Sequence, residues 1–304
     1  MNINALVQQL IVLFTIILLG FAAMRAGFLP KDTNQVLSGL VLNLSNPCAV
    51  LASVLTGQRT LEMGQVFLLT AVAVGLHLFL ILLATFFPKL LRVPKDQEAL
   101  YRFMTVFGNM SFLGFPVITA LFGQSALFLA AIFVLVFHLF CYTYGVALLR
   151  KPGEPLRWKR MLSPMVIASV AAYILYLMGA QVPALVVDIL DTMGSLTSPA
   201  AMVAIGCALA LQPLGKIFRQ PRIYLFAILR LTLVPLAVWA LCFWWMKDPL
   251  MLGVTVAISA MPVAINAELL ATQYGADEGL AASGVFISTI LSLVTLPAVM
   301  WLLF

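Results

Sequence analysis

The stretch from Phe107 to Pro116 reads FGNMSFLGFP and lies inside an apolar segment long enough to cross a bilayer. It is written in residues that break helices. Gly108 and Gly114 weaken the helix, and Pro116 has no backbone donor. Asn109 and Ser111 bring polar groups to a depth where hydrocarbon penalises them if unpaired. Irregular backbone at that depth survives only when it is buried in protein or lines a watery cavity. A second stretch, Ser259 to Asn266 (SAMPVAIN), has the same character near the other end of the chain. The two read as interrupted helices whose breaks meet to form a substrate site.

The solvent follows from composition. Of 304 residues, 63% are hydrophobic and 9% charged, against roughly 25% charge in a soluble domain. The chain is therefore expected to be an all-α membrane protein. Ten apolar segments qualify as spans: 5–25, 35–56, 65–87, 99–122, 125–149, 163–181, 185–212, 223–246, 250–273 and 278–303. Barrel strands would instead be short and alternating. The first segment is too long, and lacks the basic lead-in, for a cleaved signal. The four cysteines, Cys48, Cys141, Cys207 and Cys242, sit in apolar runs without metal spacing and read as inert buried thiols.

Basic residues orient the spans. Loops after odd-numbered spans hold Arg25 and Lys31; Lys89, Arg92, Lys95 and Arg102; Arg150, Lys151, Arg157, Lys159 and Arg160; and Lys216, Arg219 and Arg222. Loops after even-numbered spans hold only Arg59 and Lys247. The odd loops are expected in the cytoplasm and both termini outside, in a multi-pass protein of the cytoplasmic membrane. The net charge of +6 reports this orientation and no nucleic-acid partner.

Five spans per half is an odd number, so a duplicated unit would be inverted in the membrane. One offset of 152 residues pairs Asn43–Pro47 with Ser195–Pro199, Ala49 with Ala201, Gly27 with Gly179, and Gly123 with Gly275. It also lays Asn109–Gly114 over Met261–Asn266. The expected architecture is ten helices in a 5+5 inverted repeat, residues 1–152 and 153–304, with helices 4 and 9 broken and crossing. Such repeats with matched interrupted helices mark secondary transporters.

The candidate substrate-binding residues are Asn109, Met110, Ser111, Gly114 and Pro116 from the first break and Pro262, Val263 and Asn266 from the second, with Asn43 from the polar kink of span 2. Freed amides and helix N-termini there would face an anionic ligand. Glu268 and His77 are the candidates for ion coupling. Glu268 reads also as an acid carried toward an aqueous surface, and a hydrogen-bonded bundle residue is the more frequent reading of His77 and of His138. Asp188 and Asp191 read as a solvated helix end. Arg230, alone inside span 8, has three readings: snorkelling, pairing with an acid, or attracting substrate.

At these residues the chain resembles the auxin efflux carrier family of membrane permeases. Leu40–Val50 is similar to that family's span-2 signature, Asn109–Pro116 to its first crossover, Met261–Ala264 with Ala271–Gly275 to its second, and Ser288–Pro297 to its last span. The resemblance implies a dimerising scaffold of spans 1, 2, 6 and 7. It implies a transport domain of spans 3–5 and 8–10 that moves as an elevator. It also implies an auxin- or malonate-like organic anion as cargo. The long cytoplasmic loop of plant members is absent, and span 3 lacks an Asp–Lys pair.

The expected function is secondary active or facilitative transport of a small carboxylate, with a homodimer, the lipid bilayer and a proton or sodium gradient as partners. No enzymatic activity, cofactor or metal is expected. A sodium-coupled bile-acid-type symporter and a non-transporting sensor of the same fold are the alternatives. An intramembrane hydrolase would need paired acids, a Ser–His pair or HExxH at workable spacing, and none is written here.

Overall fold

The computed structural model describes residues 3–55, 62–150, 164–180, 182–211 and 220–304. Of the loops used to orient the spans, those bearing Arg59, Lys151–Arg160 and Lys216–Arg219 lie outside the described residues. Among the described residues the chain is helical throughout, with no strand and a single isolated antiparallel bridge.

In chain order the helices are α1 (Ile3–Arg25), α2 (Thr33–Leu40), α3 (Asn46–Leu55), α4 (Met63–Ala84), α5 (Phe87–Leu90), α6 (Glu98–Val106) and α7 (Gly114–Phe122). They continue as α8 (Leu127–Phe140), α9 (Val146–Leu149), α10 (Pro164–Met178), α11 (Ala184–Ser195) and α12 (Thr197–Leu211). The last four are α13 (Pro221–Cys242), α14 (Pro249–Ser259), α15 (Asn266–Tyr274) and α16 (Glu278–Leu303).

Short breaks are bridged without loss of direction. Pro47 has no amide hydrogen and crowds the carbonyl four residues back, so the ladder widens to a π-turn over Val41–Ser45 that joins α2 to α3. A second π-turn, Cys141–Gly145, joins α8 to α9; a side chain at Gly145 would strike the rings of Phe103 and Phe107.

Among the described residues, seven apolar helical stretches are 19 to 28 residues long, enough to cross a membrane. Large apolar side chains such as Leu18, Leu82, Val294 and Trp301 stay exposed on their outer faces. In water such a surface would associate; in a bilayer it is the lipid-facing surface. The chain is a multi-pass membrane protein. The three remaining expected spans are not long single helices. Span 6 is α10, 15 residues, and its expected beginning lies outside the described residues. Spans 4 and 9 are each cut in two, as α6 and α7, and as α14 and α15. The cuts fall on the Gly, Pro and Asn residues that weaken the helix there.

Among the described residues, four helices end on a glycine in the left-handed region: α1 on Gly27, α7 on Gly123, α10 on Gly179 and α15 on Gly275. This is the usual C-terminal device, since a Cβ is strained at that φ.

Packing sorts the helices. α1 lies along α12, α3 touches both α10 and α11, and α2 touches α12. In a second group α4 packs on α6 and α8, α13 on α14 and α16, and α15 on α16 and α6. Between the groups, α1 meets α7 and α16, and α10 meets α8.

The α1–α12 contact is backbone against backbone. A Cβ on Gly206 would lie 2.1 Å from the Ile17 carbonyl, and one on Gly20 2.7 Å from that of Val203. Without a hydrophobic drive between helices in lipid, such close approach supplies the dispersion energy that holds them. Gly206→Ala is therefore expected to destabilise by about 1–3 kcal/mol through overpacking. Gly75→Ala, where a Cβ meets nothing within 4 Å, is expected to cost nothing. Thermal unfolding of both variants in detergent, beside the parent, checks the contrast.

Candidate functional site

The two interruptions meet. After α6 the backbone turns extended at Phe107, and Gly108 forms an antiparallel bridge with Val263. The Asn109 amide donates to the Pro262 carbonyl at 2.7 Å, and the Ala264 amide donates to the Phe107 carbonyl at 3.0 Å. The Val263 amide donates to Ser288 Oγ of α16 at 3.0 Å, and that hydroxyl donates to the Val285 carbonyl. Each unwound strand thus supplies partners that the other lost on leaving its helix. This is the condition for non-helical backbone at membrane depth.

Arg230 completes the arrangement. It projects from α13 and is fully buried. Nε donates to the Met104 carbonyl in the last turn of α6 at 3.0 Å. Nη1 donates to the Met261 carbonyl just beyond α14. The guanidinium therefore sits at the C-terminal ends of both half-helices, where their dipoles favour a cation. Nη2 has no partner among the described residues. It lies over Gly108, where a Cβ would approach it to 2.8 Å. No carboxylate is within ion-pair distance of Arg230 among the described residues.

The predicted site residues gather here, with one exception. Asn109, Met110, Ser111, Gly114, Pro262, Val263 and Asn266 are all buried, and Pro116 is half-buried. The side-chain amide nitrogens of Asn109 and Asn266 are buried without a partner. Neutral amides left unpaired in such surroundings cost about 1–3 kcal/mol each unless something enters to accept from them. The N-terminal amides are less free than expected. Gly114 donates to the Asn109 carbonyl, Phe115 to Ser111, and Ala267 to Ala264, as tightened first turns do. Those of Ser111 and Phe112 meet no acceptor among the described residues. Asn43 stands apart from the bridge: it is exposed, and its amide donates to the Gly39 carbonyl at 2.9 Å.

Two cavities flank the meeting point. One, of about 470 Å³, is lined by Asn34, Ser38, Asn43, Phe112, Asn266 and Glu268, and also by Tyr142 and Glu278. It draws on the starts of α2, α10 and α16 and on Leu211 at the end of α12. The other, of about 440 Å³, is lined by Gln9, Ser53, Phe115, Pro116, Asp191 and Ser195, and by Thr197 and Ser198. It draws on early α1 and the start of α8. The two cavities thus draw on different helix ends. Among the described residues none lines both, but within the short segment from Phe112 to Pro116 Phe112 lines the first and Phe115 and Pro116 the second, and the α2–α3 stretch likewise lends Asn43 to the first and Ala49 to the second.

The remaining candidates fall as follows. Glu268 is half-buried in the first cavity. His77 lines neither cavity. It is buried, its Nδ1 is 2.8 Å from the Ala73 carbonyl, and its ring stacks on Phe140 at 5.3 Å. His138 is buried beside Phe137 and Tyr142. Asp188 and Asp191 are exposed, and Asp191 edges the second cavity. The four cysteines are unpaired. Ser288 was not among the predicted site residues, because nothing in a serine's sequence context announces a backbone amide 25 residues away as its partner. Arg230 did carry a signal, as the one charge in an otherwise apolar span, but not its role.

A multi-pass helical bundle with two broken helices meeting between two cavities suits the class of membrane transport proteins. The family model described as "Membrane transport protein" matches residues 5–159 and 156–300, and the chain belongs to that family, the auxin efflux carrier family whose motifs it bears. It is 25% identical over 302 residues to an "uncharacterized transporter" of Methanocaldococcus jannaschii, covering 96% of this chain and 97% of that one. It is 22% identical over 302 residues to a "Putative malonate transporter" of Rhizobium meliloti, covering 95% of this chain and 93% of that one.

Ser288→Ala leaves the buried Val263 amide without an acceptor, a loss of about 1–3 kcal/mol. Ser288→Thr retains the hydroxyl. The alanine variant is expected to unfold at lower temperature than the threonine variant in the same detergent, with calorimetry or an intrinsic-fluorescence melt as the measurement.

Proposed function

We propose that this protein is a secondary transporter of a small organic anion, held at the crossover of spans 4 and 9 and passed between the two cavities. The observation that carries this is the Phe112–Pro116 segment, which lends Phe112 to one cavity and Phe115 and Pro116 to the other; in the topology proposed here those cavities open toward opposite ends. A cargo bound beside Asn109 and Asn266 is then one rearrangement from either side. The unpartnered amide nitrogens supply the hydrogen bonds a carboxylate accepts, and the N-termini of α7 and α15 favour its charge. The relative named for malonate makes a short dicarboxylate the first cargo to try.

The architecture proposed is ten spans in two inverted five-span units. The helix-ending glycines support it, because Gly27 and Gly179, and Gly123 and Gly275, each stand 152 residues apart. The cavities support it too. Gly39, Leu42, Asn43 and Glu268 line one, while Asp191, Gly194, Ser195 and Pro116, their partners at the same offset, line the other. The two packing groups support a division into a scaffold of spans 1, 2, 6 and 7 and a mobile domain of spans 3–5 and 8–10, which would suit an elevator motion and a dimer built on the scaffold. The cytoplasmic membrane, with both termini outside, is the setting the basic loops favour. Glu268, in the cavity with Asn266, is better placed than His77 to couple a proton or sodium ion to the cargo.

The test is uptake of labelled mono- and dicarboxylates into proteoliposomes, with and without proton and sodium gradients. Asn109→Ala and Asn266→Ala are each expected to reduce carboxylate flux roughly tenfold to a hundredfold, the worth of a hydrogen bond to a charged group. Their elution and melting should stay close to the parent's. Parental flux in both variants would remove the crossover as the cargo site.

A further inference from the structure

Arg230 is used above only as a brace, yet its charge balance says more. Each C-terminal helix end carries about half a negative elementary charge, and each N-terminal end about half a positive one. At the crossover the ends of α6 and α14 therefore bring about one negative charge, and the starts of α7 and α15 about one positive. Four helix ends alone would sum to near zero and show no preference for an anion. Arg230 bonds to the carbonyls of the two negative ends and has no carboxylate partner among the described residues. The excess positive charge is thus left at the two N-termini, which flank the unpartnered amides of Asn109 and Asn266.

We propose that Arg230 is the specificity-determining positioning residue of this transporter: it cancels the C-terminal dipoles of the half-helices and so makes the crossover selective for anions without touching the cargo. The missing counter-charge of this buried cation is the cargo itself. The proposal rests on the crossover being the cargo site.

The test compares three probes of one shape, namely malonate, its half-amide malonamate and its neutral diamide malonamide, as competitors of labelled malonate uptake in proteoliposomes. The protein is the full chain, either as the parent or as Arg230→Gln, Arg230→Lys or Gly108→Ala. Gln keeps an amide donor for the carbonyls and deletes the charge; Lys keeps the charge and loses the fork. In the parent, potency is expected to fall from malonate to malonamate to malonamide. In Arg230→Gln the preference for malonate over malonamide is expected to shrink roughly tenfold to a hundredfold, while Arg230→Lys keeps the parental order. A Cβ at residue 108 pushes the guanidinium off its seat, so Gly108→Ala shrinks the preference in the same direction and serves if Arg230→Gln fails to fold.

An undiminished preference in Arg230→Gln, or in Gly108→Ala where the former does not fold, overturns the proposal. Equal loss of all three probes also overturns it, because a mere brace would weaken every cargo alike. A parent that takes up no carboxylate removes the function proposed above as well. A parent that does, with discrimination unmoved by these changes, removes only the role of Arg230.

Discussion

Hydrocarbon offers no hydrogen bonds, and that single fact governs the centre of this molecule. Unwinding a helix in the membrane strands peptide groups that water would otherwise satisfy, at several kcal/mol each. One broken helix could not bear this alone. Two can, when the strand leaving one reads the strand leaving the other. Phe107 and Asn109 pair with Ala264 and Pro262, and the leftover Val263 amide is taken by Ser288. The breaks are therefore mutually dependent, which gives a physical reason for a chain to carry them as a matched pair.

The same constraint places the cation. A lone guanidinium in an apolar span is costly unless its donors are spent. Arg230 spends two of its nitrogens on carbonyls freed by the two breaks, from Met104 and Met261. These lie 126 and 31 residues away along the chain. Gly108 is small for the same reason, since a side chain there would displace the third nitrogen. The crossover is thus one polar knot of backbone, one serine and one arginine.

Much of this was legible beforehand, for reasons that differ by residue. Long uninterrupted apolar runs mark helices because lipid tolerates little else, so the spans lay close to where they were expected. Gly108, Gly114, Pro116 and Pro262 marked the breaks because each lacks either a side chain or an amide hydrogen. Asn109 and Asn266 were expected in the site because polar groups at that depth need a purpose, and both are buried with an unpartnered amide nitrogen. Partners were not legible. Ser288, Ser53, Ser259 and Ser292 all bond back to a carbonyl three residues earlier, and only tertiary structure gives Ser288 a second task. Asn43 lines the first cavity with Asn266 but stands apart from the bridge, and its amide bonds within its own helix, because an asparagine can satisfy itself on the carbonyl four residues before it.

A carrier has to release what it binds, and this limits how its charge is presented. A guanidinium in direct bidentate contact would hold a carboxylate strongly and slow its departure. Spreading the same charge through two helix dipoles keeps the sign of the field and softens the grip. It also leaves Nε and Nη1 of the cation bonded to carbonyls when the site is empty, with only Nη2 unpartnered among the described residues. Beside that one guanidinium nitrogen, the side chains with an unpartnered nitrogen at the crossover among the described residues are two neutral amides, which cost far less to leave waiting than a wholly unpaired charge would. An arginine that faces away from the cargo is, on this account, the arrangement that lets a buried site both favour anions and let them go.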